Sequence, residues 1–159
     1  IDVYISSLSK GLGSFGGYIA SQKNVIELCI NNSKSFIYTS ALPELFVDDA
    51  NKRFDSDRET KRKKLWENVK IFSSELKKIG YDLKSNSHII PIIIGKEKTA
   101  MEFSSYLFKN GIYAQAIRYP TVPYNKARIR ISITSRLTRK HITNIIDILE
   151  KAKRKFQIL

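Results

Sequence analysis

The sequence predicts an α/β chain whose C-terminal half is an α+β layer. Helical stripes alternate with short apolar runs, the pattern of a sheet covered by helices. The run at 127–133 alternates isoleucine with arginine or serine, as a half-exposed strand does. No apolar run approaches the roughly 20 residues that span a bilayer, so the 42% hydrophobic content is expected to form a packed core.

The opening Ile1-Asp2-Val3-Tyr4-Ile5 alternates apolar and polar and reads as a strand. A glycine-dense loop follows, then a second short strand over Gly17-Tyr18-Ile19-Ala20 and a helix from about Lys23. Ser56-Asp57-Arg58-Glu59 has the capping-box pattern and opens a helix with Leu65, Val69, Phe72, Leu76 and Ile79 on one stripe. Gly80 is its stop, and Trp66 is expected to flank the stripe as a packing anchor. The run at 88–94 reads as a buried strand in which Pro91 demands an edge or a bulge. A helix over 97–110 turns Ala100, Phe103 and Leu107 inward and ends before Gly111. Strands at about 112–117 and 127–133 follow, then a helix from Arg139 with Ile142, Ile145, Ile146, Leu149 and Phe156 on one face. The sheet is expected to be three-stranded and antiparallel, with helices on one face.

Net charge is +13, from 28 basic and 15 acidic residues. Such an excess can mark a nucleic-acid binder, but no aromatics interleave with the lysines as a stacking platform would need. Runs such as Lys61-Arg62-Lys63-Lys64 read as solvated helix faces. Cys29, the single cysteine, excludes an internal disulfide; a buried thiol in a reducing compartment, the cytoplasm, is expected. His88 and His141 stand apart without metal-ligand spacing, so no metal site is expected.

The loop carries the chemistry. Lys10 is followed by Gly11, Gly13, Gly16 and Gly17, and preceded by Ser7 and Ser9. Glycines permit close backbone approach to a ligand, a lysine amine can condense with an aldehyde, and hydroxyls beside it suit a phosphate. These features point to a pyridoxal-phosphate lysine. Two other readings exist for the motif alone: a solvated surface turn, and the dinucleotide fingerprint G-x-G-x-x-G. The fingerprint must open a helix and be followed by an acidic residue about 20 positions on. Here a strand follows, and Lys34 and Ser35 occupy that distance.

Three segments together resemble the α-oxoamine synthases, pyridoxal-phosphate enzymes of the aspartate-aminotransferase fold (fold type I). Ser7-Leu8-Ser9-Lys10-Gly11-Leu12-Gly13 through Gly16-Gly17 is similar to the family's Thr-Leu-Ser-Lys-Ala-Leu-Gly-x-x-Gly-Gly. Ser35-Phe36-Ile37-Tyr38-Thr39-Ser40-Ala41-Leu42-Pro43 is similar to a second family segment. Ala116-Ile117-Arg118-Tyr119-Pro120-Thr121-Val122-Pro123 leading to Ala127-Arg128-Ile129-Arg130-Ile131 is similar to a third. Arg118 favours the biotin-pathway branch, which condenses L-alanine with a pimeloyl thioester to 8-amino-7-oxononanoate. The Tyr-Pro-Thr-Val-Pro that follows is shared with the 5-aminolevulinate synthase branch, so sister enzymes using glycine or serine remain the alternative. A basic nucleic-acid-binding module is the alternative of another class.

The resemblance implies pyridoxal 5'-phosphate as cofactor, with Lys10 as its Schiff-base lysine and the catalytic base. It implies Ser7 on the phosphate in the same subunit, and Thr39 and Ser40 reaching the neighbouring subunit's phosphate in a homodimer. Arg130 would grip the amino-acid carboxylate, and Arg118 and Thr121 would lie near the acyl chain. Coenzyme A or an acyl carrier protein would bring that chain, with neither nucleic acid nor membrane as partner. Residues 1–50 would be the end of the large cofactor domain and 51–159 the small C-terminal domain. Residues 44–58 depart from the pattern, being polar where relatives carry an alanine-rich helix. Without an initial methionine and with family members much longer, the chain is expected to be the C-terminal portion of a larger enzyme, inactive alone.

Overall fold

The computed structural model describes residues 1–55 and 58–158. Two compact units divide it, Ile1–Arg58 and Glu59–Leu159.

In the first unit, β1 (Val3–Ser7) pairs antiparallel with β2 (Gly17–Ser21), Val3 opposite Ser21 and Ser7 opposite Gly17. Helices α1 (Lys23–Asn32), α2 (Lys34–Ile37) and α3 (Glu44–Asp55) follow. The polar 44–55 segment is helical although Ala50 is its one alanine, with Asp49 and Arg53 paired one turn apart. Cys29 is half-buried rather than buried, because α1 has no fully buried position.

The second unit begins with α4 (Arg58–Lys78), whose expected capping box involves residues outside those described. Strands β3 (Ile89–Gly95), β4 (Gln115–Ile117) and β5 (Ala127–Ser132) form one antiparallel sheet in the order β3-β5-β4. Pro91 sits on edge strand β3, where its missing N–H is tolerated, and the register shifts between Ile93 and Gly95. Helices α5 (Glu97–Lys109) and α6 (Arg139–Phe156) complete the layer.

The expected stripes converge on one core. Phe72 and Leu76 of α4, Ala100, Phe103 and Leu107 of α5, and Leu149 of α6 are wholly buried against Ile90, Ile92, Ile129 and Ile131. Asn68, also buried, donates from Nδ2 to the carbonyls of Thr134 (2.9 Å) and Leu137 (3.0 Å), tying α4 to the turn before α6. Gly80 and Gly111 both take φ +82° just past α4 and α5, the left-handed stop that glycine accommodates. Thr138 caps α6 by accepting from the His141 N–H, and the His141 ring accepts in return from the Thr138 N–H, which gives that histidine a structural task. Trp66 does not anchor the core: it is 45% exposed, one position off the buried stripe.

Candidate functional site

The Lys10 loop is the connection of the β1–β2 hairpin. Its neck is closed by Leu8 N–H to Gly16 O (3.0 Å) and Ser14 N–H to Leu8 O (3.1 Å). Two glycines sit tightly there. A Cβ on Gly16, at φ +103°, would lie 2.9 Å from the Leu42 side chain, and one on Gly17 would lie 3.2 Å from the Ser6 carbonyl oxygen. On the outward limb, Ser7 and Ser9 hydroxyls lie 2.7 Å apart, and the Ser9 N–H donates to Ser7 Oγ at 3.2 Å. Lys10 comes next and is exposed, with open space around the Gly11 backbone. An exposed primary amine beside two hydroxyls and an uncluttered backbone fits an aldehyde that also carries a phosphate.

Thr39 and Ser40 lie in the irregular segment between α2 and α3, both exposed. Ala41 beside them has φ +66°, a strained value for a residue with a Cβ, and such outliers cluster at functional sites. No side-chain hydrogen bond of either hydroxyl is present among the described residues.

The return limb of the loop rests on α3. Ser14 Oγ donates to Phe46 O at 2.9 Å, and the Phe15 and Phe46 rings lie 5.3 Å apart. Arg53 Nε reaches both carboxylate oxygens of Asp49 at 2.8 Å. The Arg53 guanidinium holds the Asp49 carboxyl below its ordinary value, and the Ser14 hydroxyl adds to this.

In the second unit, the open face of the sheet carries Arg128, Arg130 and Ser132, opposite the isoleucines of the same strand. Arg130 lies in register between Pro91 and Gln115, and its Nη2 donates to Gln115 Oε1 at 3.4 Å. Arg128 instead donates from Nε to the Lys126 carbonyl at 3.1 Å. Arg118 approaches Met101 Sδ at 3.3 Å, and its carbonyl accepts from the N–H groups of Thr121 and Val122, forming the turn that exposes Thr121. Tyr119 and Tyr124 meet edge to face at 6.4 Å across this turn. The structure thus groups Ser7 with Lys10 in the first unit, and in the second it puts Arg118 just past strand β4, Thr121 in the turn that follows and Arg130 on β5. Ser14, Gln115 and Met101 were not singled out from sequence, because their contacts depend on long-range placement; Ser9 was read there with Ser7 as a hydroxyl beside Lys10.

The family model for aminotransferases of class I and II matches residues 1–149. The chain belongs to that family. As a class I and II aminotransferase-family chain it has the C-terminal part of the aspartate-aminotransferase-type fold, and this agrees with its structural neighbours. Serine palmitoyltransferase from S. paucimobilis, solved with pyridoxal phosphate and myriocin, superposes with a TM-score of 0.91 at 24% identity, over 100% of this chain and 41% of that one. An 8-amino-7-oxononanoate synthase from Francisella tularensis gives 0.82 at 24% identity, over 99% and 47%. Among curated relatives, the 8-amino-7-oxononanoate synthase of Thermoanaerobacter pseudethanolicus is 38% identical over 162 aligned residues. The corresponding enzyme 1 of Bacillus subtilis is 33% identical over 162. All of this chain aligns in both, and it spans 41% of the length of each. No helix among the described residues is long and apolar enough to cross a membrane.

Proposed function

We propose that the protein is an acyltransferase of the α-oxoamine synthase type, using pyridoxal 5'-phosphate to condense L-alanine with a pimeloyl thioester, with decarboxylation, in biotin synthesis. The observation that carries this reading is the Lys10 loop, with its amine exposed, hydroxyls at Ser7 and Ser9 grouped at 2.7 Å, and open space beside Gly11. The names of the 33–39% identical relatives support it.

Pyridoxal phosphate, when bound, supplies an electron sink for charge developing at the amino acid's α-carbon. Lys10 would supply the amine that bonds the cofactor's aldehyde carbon, and once the incoming amino acid's own amine displaces it, the freed Nζ would be the base that takes the α-proton. Ser7 donates its hydroxyl to the phosphate, and the unspent hydroxyls of Thr39 and Ser40 donate to the phosphate of a second subunit, which makes the working form a homodimer. Arg130 binds the substrate carboxylate through two parallel N–H···O bonds, fixing which α-bond is presented for cleavage. Arg118 and Thr121 face the acyl portion, delivered by coenzyme A or an acyl carrier protein. In this reading residues 1–50 belong to a cofactor domain, 51–159 form the small domain, and the enzyme works in the cytoplasm.

The test uses the protein at its full encoded length, reconstituted with pyridoxal phosphate. Borohydride reduction followed by peptide mapping is expected to find the cofactor on Lys10, and Lys10→Ala to lose the yellow absorbance. Retention of that absorbance in Lys10→Ala overturns the assignment. Coenzyme A release with pimeloyl-CoA is expected to be fastest with alanine; a preference for glycine or serine moves the enzyme to a sister branch.

A further inference from the structure

The Lys10 loop has two unequal limbs. The outward limb, residues 9–12, is exposed or half-buried, and a Cβ on Gly11 would meet nothing within 4 Å. The return limb is held residue by residue. A Cβ on Gly13 would lie 3.5 Å from Arg53 Nη1, Ser14 Oγ donates to Phe46 O, Phe15 packs on the Phe46 ring, and Gly16 lies under Leu42. All four contacts come from α3 or the residues leading into it. None is local in sequence: Ser14 and Phe46 are 32 positions apart.

We propose that Ser14 and Phe46 form a latch between the lysine loop and the first turn of α3, and that this latch positions Lys10. The proposal rests on the reading of Lys10 as the cofactor-bearing lysine. Chemistry gives the latch its purpose. A lysine that must bond an aldehyde and then act as a base needs freedom in its own side chain. It also needs a backbone that returns to one place each time, because small misplacements of a reacting group cost rate steeply. Here the limb bearing the amine is open and its continuation is pinned. The Ser14 hydroxyl lies 2.9 Å from a main-chain carbonyl on a helix, an acceptor that does not rotate away, and the Asp49 carboxylate on the same helix is a second acceptor for its single proton. The Phe15–Phe46 contact adds an apolar stop beside it at a separation typical of favourable ring pairs. Ser14 and Phe46 touch neither substrate nor cofactor in this account; they are positioning residues.

The region's burial agrees with a latch rather than a core. Leu8, where the loop begins, and Ala50, one turn beyond Phe46 on α3, are the buried apolar residues found among those described in the first unit. Packing in this unit is therefore concentrated where the loop and helix meet.

Hydrogen exchange and cofactor trapping, read on the same full-length protein, test this. Ser14→Ala is expected to raise amide exchange in residues 9–16 about fivefold, the size set by one net hydrogen bond. Exchange in residues 59–158 is expected to stay unchanged. The same variant is expected to slow borohydride-trappable attachment of pyridoxal phosphate by about the same factor. Ser14→Thr, which keeps the hydroxyl, is expected to restore both, as a general loss of packing would not. Phe46→Leu, which keeps the helix and the carbonyl but removes the ring pair, is expected to shift both readouts in the same direction by a smaller factor. It stands in if Ser14→Ala does not fold. Unchanged loop exchange and unchanged trapping in both Ser14→Ala and Phe46→Leu overturn the latch. Trapping of the wild-type protein at a lysine other than Lys10 overturns instead the cofactor assignment, and the exchange measurement then still decides whether the latch exists.

Discussion

Among the described residues, 20 buried apolar side chains lie in Glu59–Leu159, whereas Ile1–Arg58 buries Leu8 and Ala50. The first unit instead exposes Val3, Tyr4, Ile5, Phe15, Ile19, Leu28, Phe36 and Tyr38. Charge divides as sharply. Residues 59–159 hold 22 of the 28 basic and 8 of the 15 acidic side chains, so residues 1–58 hold 6 and 7. The second unit is therefore an independently packed basic scaffold, and Arg130 stands on the face of its central strand. The first unit takes its form from hairpin hydrogen bonds and the α3 contact, and it carries the lysine. The lysine and the arginine singled out from the sequence thus lie in units that bury very different amounts of apolar surface.

The largest way to break this contrast is a cavity in the scaffold. Phe103 is wholly buried between sheet and α6, with its ring 5.3 Å from that of Phe156. Phe103→Ala is expected to cost about 3–5 kcal/mol in a urea titration. The single tryptophan, Trp66, reports it from α4. Leu8→Ala is expected to leave that transition where it was and to raise amide exchange only near the loop. A shift of several kcal/mol from Leu8→Ala would show that the two units share one cooperative transition.

Tyr81 sharpens the contrast at about 1 kcal/mol, one net hydrogen bond. Its hydroxyl donates to the Leu149 carbonyl at 2.9 Å inside the core, and burial pushes the phenol well above its ordinary 10. Because the folded value is the raised one, this contribution is fully present below about pH 10 and is lost as pH climbs through the folded value. Tyr81→Phe is expected to lower stability at neutral pH and to flatten the alkaline fall, since phenylalanine has no proton to lose. Parallel alkaline curves for the two proteins would remove Tyr81 from this role.

The scaffold was legible in the sequence because each of its helices repeats its apolar residues at helical spacing. Ala100, Phe103 and Leu107 lie four or three apart and all point inward. Trp66 misled because an aromatic next to a stripe resembles a member of it, but a single-residue step rotates a helical side chain by about 100°. The glycine-dense loop was legible as a tight turn. Its support was not: Ser14 meets Phe46 across 32 residues, and Arg130 meets Gln115 only once the β4–β5 register is fixed. Nor does any pattern announce that Ala41 adopts a left-handed backbone, since alanine ordinarily avoids it.

The smallest expected effect lies at the softer support and separates its charge from its hydrogen bond. Asp49 holds Arg53 against the return limb, and its carboxyl titrates below the ordinary 3.8 because of that guanidinium. A lowered folded value means the contribution is present above pH 3.8 and disappears as pH falls through the folded value below it. The pair is exposed, so its share is small; Asp49→Asn is expected to raise exchange of residues 13–16 by about twofold or less at neutral pH. At pH 3 the variant and wild type should converge, after correction for intrinsic exchange. Ser14→Ala, whose lost bond to the Phe46 carbonyl carries no charge, should keep most of its difference from wild type there. A pH-independent effect of Asp49→Asn would mean that the side chain acts by packing rather than by charge, and the latch would then consist of the Ser14 bond and the phenylalanine pair alone.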